Sequence, residues 1–146
     1  MRQRLSPQPD AHGPGPAAFV WPVRVYYEDT DAAGVVFYAN YLKFMERART
    51  EWLRALGFEQ TTLMHDHNVV FVVRSLAVEY LRPALFNDEL AVTVALRGVR
   101  GSLIEIAQSV RRGAHNLVVG EVAVACINTQ SFKPVRIPHS ILEKLR

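Results

Sequence analysis

Along the chain the spacing of apolar positions alternates between the two-residue period of strands and the three-to-four-residue period of a helix, and the switches mark out one long helix among several strands. Phe19–Glu28 is rich in Val and Tyr and reads as a first strand, with Trp21-Pro22 placed at a sheet edge where a missing N–H is tolerated. From Asn40 to Leu56 the pattern turns helical. Tyr41, Phe44, Met45, Ala48, Trp52 and Leu56 recur on one face, while Lys43, Glu46, Arg47, Arg49 and Arg54 fall mostly on others. Gly57 follows, where a left-handed cap ends a helix most easily. Thr61–His67 predicts a further helical turn. Val69–Val73 and Leu76–Leu81 are strand material, either two pieces or one bent strand, closed by Arg82-Pro83.

Glu89–Leu96, Ser102–Val110 and Asn116–Thr129 give three more β-rich runs, with hairpin-like separators at Arg97–Gly101 and Arg111–His115. Pro138–Leu145 reads as a short last helix with proline in its first turn. One buried helix among about five antiparallel strands is an α+β architecture in which the sheet must curve around the helix. A single helical layer leaves a sheet edge and an outer face open, and pairing with a second copy is the usual remedy, so an oligomer is expected.

A chain of 146 residues with 49% hydrophobic content supports one core. Residues 1–18, with Pro7, Pro9, Pro14, Pro16, Gly13 and Gly15, are expected to form a disordered tail, because they lack the apolar centre of an export signal. That leaves 19–146 as a single domain. No apolar run approaches the roughly 18 residues needed to cross a bilayer. The longest, Val122–Ile127, is of strand length and holds Cys126, the single cysteine, which reads as a buried thiol in a reducing cytoplasm. A net charge of +3 is too modest for a dedicated nucleic-acid binder, though it suits an anionic ligand. His65 and His67, two apart, point to different helix faces with no regularly spaced third ligand, so no metal or other cofactor is implied.

The chemistry concentrates in Tyr26–Tyr41, where a strand runs into an acidic turn and then a helix. The first turn of any helix has N–H groups without intrahelical acceptors, and the aligned peptide dipoles make that end positive. Asp31 lies a few residues upstream, so a carbonyl held by those N–H groups would be within reach of its carboxylate, an arrangement suited to acyl transfer. An ordinary turn or capping aspartate is the competing reading. Asp29 and Glu28 are expected to orient the loop or pair with Arg24, Gly34 to permit a positive backbone angle or close approach of substrate, and Asn40 to cap the helix. Arg97, Arg100, Arg111, Arg112 and Lys133 gather around the strand connections, as phosphate ligands or as solvated turn residues.

The run Tyr26-Tyr27-Glu28-Asp29-Thr30-Asp31-Ala32-Ala33-Gly34-Val35-Val36-Phe37-Tyr38-Ala39-Asn40-Tyr41, with Phe44-Met45-Glu46-Arg47-Ala48-Arg49-Thr50-Glu51-Trp52-Leu53 after it, closely resembles the Tol-Pal-associated acyl-CoA thioesterases. These belong to the 4-hydroxybenzoyl-CoA thioesterase group of the hotdog fold, and the similarity extends from about Trp21 to Pro138. The resemblance implies an antiparallel sheet wrapped around a long central helix, and a homodimer with its sites at the subunit interface, often assembled into a homotetramer. It implies an acyl-CoA substrate, association with the Tol-Pal envelope system, Asp31 as the catalytic carboxylate and the Tyr38 backbone N–H as the donor that polarises the thioester carbonyl. It also places Glu46 at the acyl end of the substrate, while Gly34, Arg97 and Arg100 complete the expected binding residues.

The Tol-Pal-associated subgroup usually carries histidine where this chain has Tyr38, whereas the benzoyl-CoA enzymes have tyrosine there. A backbone donor tolerates that change; an independent histidine acid or base would be missing. The alternative function is a non-catalytic scaffold of the same fold that binds acyl thioesters or an envelope-associated partner. A hotdog dehydratase, which relies on a histidine and an acidic helix residue, finds no histidine between Phe19 and Arg54.

Overall fold

The computed structural model of the chain describes residues 18–145, so nearly all of the expected N-terminal tail lies outside the described residues. The helical stripe becomes α1, Asn40–Ala55, followed by α2, Gln60–His67. Five strands, β1 (Phe19–Arg24), β2 (Val69–Tyr80), β3 (Glu89–Arg100), β4 (Leu103–Arg112) and β5 (His115–Asn128), form one antiparallel sheet in the order β1-β3-β4-β5-β2. A final helix, α3, spans His139–Leu145. This is the α+β hotdog arrangement, with α1 lying over β1, β3 and β4.

Tyr41, Phe44, Met45, Ala48 and Leu53 of α1 are buried against Leu90, Val92, Val94, Ile104, Ile106 and Val122 of the sheet. Each Val, Leu, Ile, Phe or Met among them contributes about 1.5–3 kcal/mol when taken from water. Trp52 and Leu56, expected on the buried stripe, are only half-buried at its margin. Gly57 adopts φ 96°, the left-handed geometry that a helix stop requires.

Several boundaries differ from the sequence reading. β1 ends at Arg24, because Asp29 Oδ2 accepts the Tyr26 N–H at 2.8 Å and folds Tyr27–Asp29 into a 3-10 turn. β2 is one strand whose register shifts between Val73 and Ser75, so Arg74 forms a bulge. β3 continues through Arg97 to Arg100, shrinking the two hairpin turns to Gly101-Ser102 and Gly113-Ala114. Asn40 is the first helical residue rather than the cap, since its Nδ2 donates to the Asp29 carbonyl at 2.9 Å.

β2 is an edge strand; Val69 and Phe71 at its start are buried, but its inner face from Val73 onward is uncovered. Val73, Leu76 and Tyr80 pair in register with the core residues Val124, Val122 and Val118. Cross-strand partners share a face. Yet Val73, Leu76 and Tyr80 are 47%, 40% and 41% exposed, because α1 lies over the opposite half of the sheet.

Candidate active site

The acidic turn is held by short-range hydrogen bonds that its sequence makes available. Asp31 N–H donates to the Val35 carbonyl and Gly34 N–H to the Asp31 carbonyl, both at 2.9 Å, and Gly34 takes φ 81°, which glycine adopts without a Cβ penalty. Asp31 Oδ1 accepts the Ala33 N–H at 2.9 Å. Its Oδ2 has no hydrogen-bond donor among the described residues, and the side chain is exposed.

Immediately downstream, the Asp29 carbonyl accepts both the Phe37 N–H at 3.0 Å and Asn40 Nδ2 at 2.9 Å, which fixes the approach to α1. The helix opens with three-residue spacing: Asn40 N–H donates to Phe37 at 2.8 Å and Leu42 N–H to Ala39 at 3.2 Å. Tyr38 N–H has no acceptor among the described residues. No acidic residue occupies the first turn of α1 to neutralise the positive helix end.

A second segment braces this unit from the far end of β2. Val36 N–H donates to the Ala84 carbonyl, and Ala84 N–H to the Tyr41 hydroxyl, both at 2.9 Å. Val35 forms a β-bridge with Leu85. Asp88 accepts the Leu85 N–H at 2.9 Å and the Arg112 guanidinium at 2.5 Å, and Arg112 also reaches the Pro83 carbonyl at 3.3 Å. Tyr80 donates its hydroxyl to the Tyr38 carbonyl at 3.2 Å. Sequence reasoning missed Tyr80, Ala84 and Asp88. Arg112 was noticed only as a phosphate candidate.

Asp31, Gly34 and Tyr38 therefore share one turn-helix unit. Glu46 is exposed on α1, eight residues beyond Tyr38, or about 12 Å along the axis. Arg97 and Arg100 lie toward the other end of β3 from Asp88, Arg97 being about 30 Å along the strand, so the single chain does not bring them to Asp31. Arg97 is exposed, whereas Arg100 Nε and Nη2 hold Glu105 Oε1 at 3.0 and 2.7 Å. Arg111 is buried and bonded to Asn116 Oδ1 and to the Ala114 carbonyl, and Lys133 is exposed. Arg24 pairs with Glu89 at 3.7 Å rather than with Glu28 or Asp29. His65 and His67 are exposed, with His65 Nδ1 3.0 Å from Asp66 Oδ1. Cys126 is fully buried, and burial pushes its thiol up to about 11, which removes it as a nucleophile.

The profile of the thioesterase-like superfamily matches residues 25–145, which includes every element of the acidic turn and its braces. The chain belongs to that superfamily. It is 46% identical over 123 residues to the acyl-CoA thioesterase YbgC of Haemophilus influenzae, covering 84% of this chain and 90% of that protein. It is 43% identical over 129 residues to the acyl-CoA thioester hydrolase YbgC of Escherichia coli O6:H1, covering 88% and 96%. The structure of a probable thioesterase from Bartonella henselae superposes with a TM-score of 0.80 at 36% identity, over 84% of this chain and all of the other. The superfamily's hotdog fold accounts for the observed sheet order and the placement of α1.

Proposed function

We propose that the protein hydrolyses acyl-CoA thioesters to free acid and coenzyme A, with Asp31 and the Tyr38 N–H as its reacting groups. The observation that carries this reading is the unsatisfied Tyr38 amide in the same turn-helix unit as the unbonded Oδ2 of Asp31, in a chain 46% identical to an acyl-CoA thioesterase. The thioester oxygen accepts the Tyr38 N–H, so charge developing on it is met by a fixed donor and a positive helix end. Asp31 Oδ2 then acts in one of two ways. Direct attack expels the thiolate and leaves a mixed anhydride that water cleaves; general-base action removes a proton from an attacking water. Either route consumes one water and yields acid and thiol.

The site lies beside the free β2 edge, which supports a homodimer in which a second copy walls the substrate cleft, with a homotetramer as the larger assembly. Gly34 leaves space for the thioester, and Glu46 faces the acyl end. Arg97 and Arg100 would serve the coenzyme A phosphates only if the second copy brings its own pair to this site, with Arg100 exchanging Glu105 for phosphate. A cytoplasmic location and Tol-Pal association accompany this reading through family resemblance.

The test is a panel of short aliphatic, long aliphatic and aromatic acyl-CoA compounds, followed by thiol release. The native chain releases thiol, and Asp31→Asn lowers kcat at least about 100-fold, the contribution of one acid-base group, without changing its circular dichroism. Full activity in that variant would remove Asp31 from the reaction. Single-turnover hydrolysis in heavy-oxygen water separates the routes, because direct attack places an enzyme oxygen in the first product.

A further inference from the structure

We propose that Tyr80 is a positioning residue for this reaction: its hydroxyl, by holding the Tyr38 carbonyl, fixes the direction of the Tyr38 N–H that receives the thioester oxygen. The inference rests on the function proposed above and adds a residue 42 positions away in sequence from the one it controls.

Two peptide planes meet at the Tyr38 α-carbon. The plane shared with Phe37 carries the Tyr38 N–H, and its carbonyl is held by the Asn40 N–H at 2.8 Å. The plane shared with Ala39 carries the Tyr38 carbonyl. In a regular α-helix the Leu42 N–H would take that carbonyl, but here it goes to Ala39 at 3.2 Å instead. The Tyr80 hydroxyl fills the position at 3.2 Å. The carbonyls of both planes are thus held, and one of the two holds comes from the edge strand.

The Tyr80 ring is well placed to keep that hydroxyl still. It stands edge-on to the Tyr38 ring, with centroids 6.3 Å apart and planes at 87°. It leans at 59° on Tyr41, 5.7 Å away, whose own hydroxyl is pinned by Ala84 N–H and whose side chain is buried. Burial raises the Tyr80 hydroxyl above its ordinary pKa, so it remains a proton donor at neutral pH. A donor to a developing oxyanion contributes most when it is oriented before charge appears. Freed of the hydroxyl, the first turn can relax toward a regular α-turn, which redirects the amide without removing any substrate contact.

Tyr80→Phe retains both ring contacts and deletes only the oxygen. Measured on the full chain with hexanoyl-CoA and benzoyl-CoA as probes, kcat falls about tenfold on both, less than the 100-fold or more for removing a donor outright. KM stays within about twofold, since ground-state binding does not depend on the aim of one amide. Tyr80→Leu, which also loses the rings, falls at least as far in kcat and lowers the thermal midpoint, whereas Tyr80→Phe leaves the midpoint unchanged. A Tyr80→Phe enzyme with native kcat overturns the positioning role alone. A raised KM at native kcat also overturns it, by showing that the hydroxyl touches substrate. Absence of thiol release by the native chain from every thioester overturns the reaction itself, and the positioning role with it.

Discussion

In the proposed reaction Asp31 divides its two oxygens between structure and chemistry: Oδ1 holds the turn through the Ala33 N–H, and Oδ2 is the oxygen assigned to the thioester or to water. Aspartate suits both tasks because its short side chain reaches its own backbone two residues on while keeping a second acceptor free. The buried thiol matters to how the site is assayed. Cys126 is inaccessible and has its pKa raised from 9.0 to about 11, so native protein is expected to be silent to a thiol reagent at about pH 8, and released thiol then reports coenzyme A alone. The same shift has a sign for stability. The neutral thiol is favoured in the folded state, so its contribution is full below pH 9.0 and is lost as pH rises through about 11. Urea denaturation across that window should show a loss of stability that Cys126→Ala reduces.

At the level of elements, the site depends on how closely α1 rests on the sheet. Gly120 on β5 is the contact that permits it: an added Cβ would lie 3.0 Å from Met45 Cε and 3.2 Å from the Ala77 carbonyl. The methionine tip can move, but the carbonyl belongs to the backbone of the neighbouring strand and cannot. Gly120→Ala is therefore expected to cost about 1–2 kcal/mol by overpacking, read as a lower urea midpoint at unchanged slope. Gln108 serves the same interface differently, donating to the Met45 carbonyl at 3.1 Å and accepting Arg49 at 2.7 Å, so a buried amide on the helix side of β4 is satisfied.

For the molecule as a whole, the surface that stands out is the free edge of β2 and its inner face from Val73 onward. A long edge strand bearing exposed Val73 and Leu76 invites pairing with another chain. It also ends at Tyr80, which bonds the Tyr38 carbonyl at the entry to α1, so assembly and the proposed activity are expected to be linked. Light scattering should give a mass above that of one chain. Leu76→Lys, which adds a charge on this strand without disturbing the buried core, should yield monomer and reduce thiol release together. A native monomer with full activity would separate the two.

The helix at Asn40–Ala55, the strand runs and the turn that leads from Asp31 into α1 were legible in the sequence because each is encoded locally, in a repeat period or a span of a few residues. The end of β1 was misread because one side chain, Asp29, captures the Tyr26 N–H and turns the chain where Val and Tyr favoured extension. Only the tertiary structure decided which distant residues brace the turn. Tyr80 meets Tyr38 across 42 residues and Arg112 meets Asp88 across 24, and no local pattern specifies such pairs. They follow from strand register and sheet order, which bring together groups whose separation along the chain carries no periodic signal.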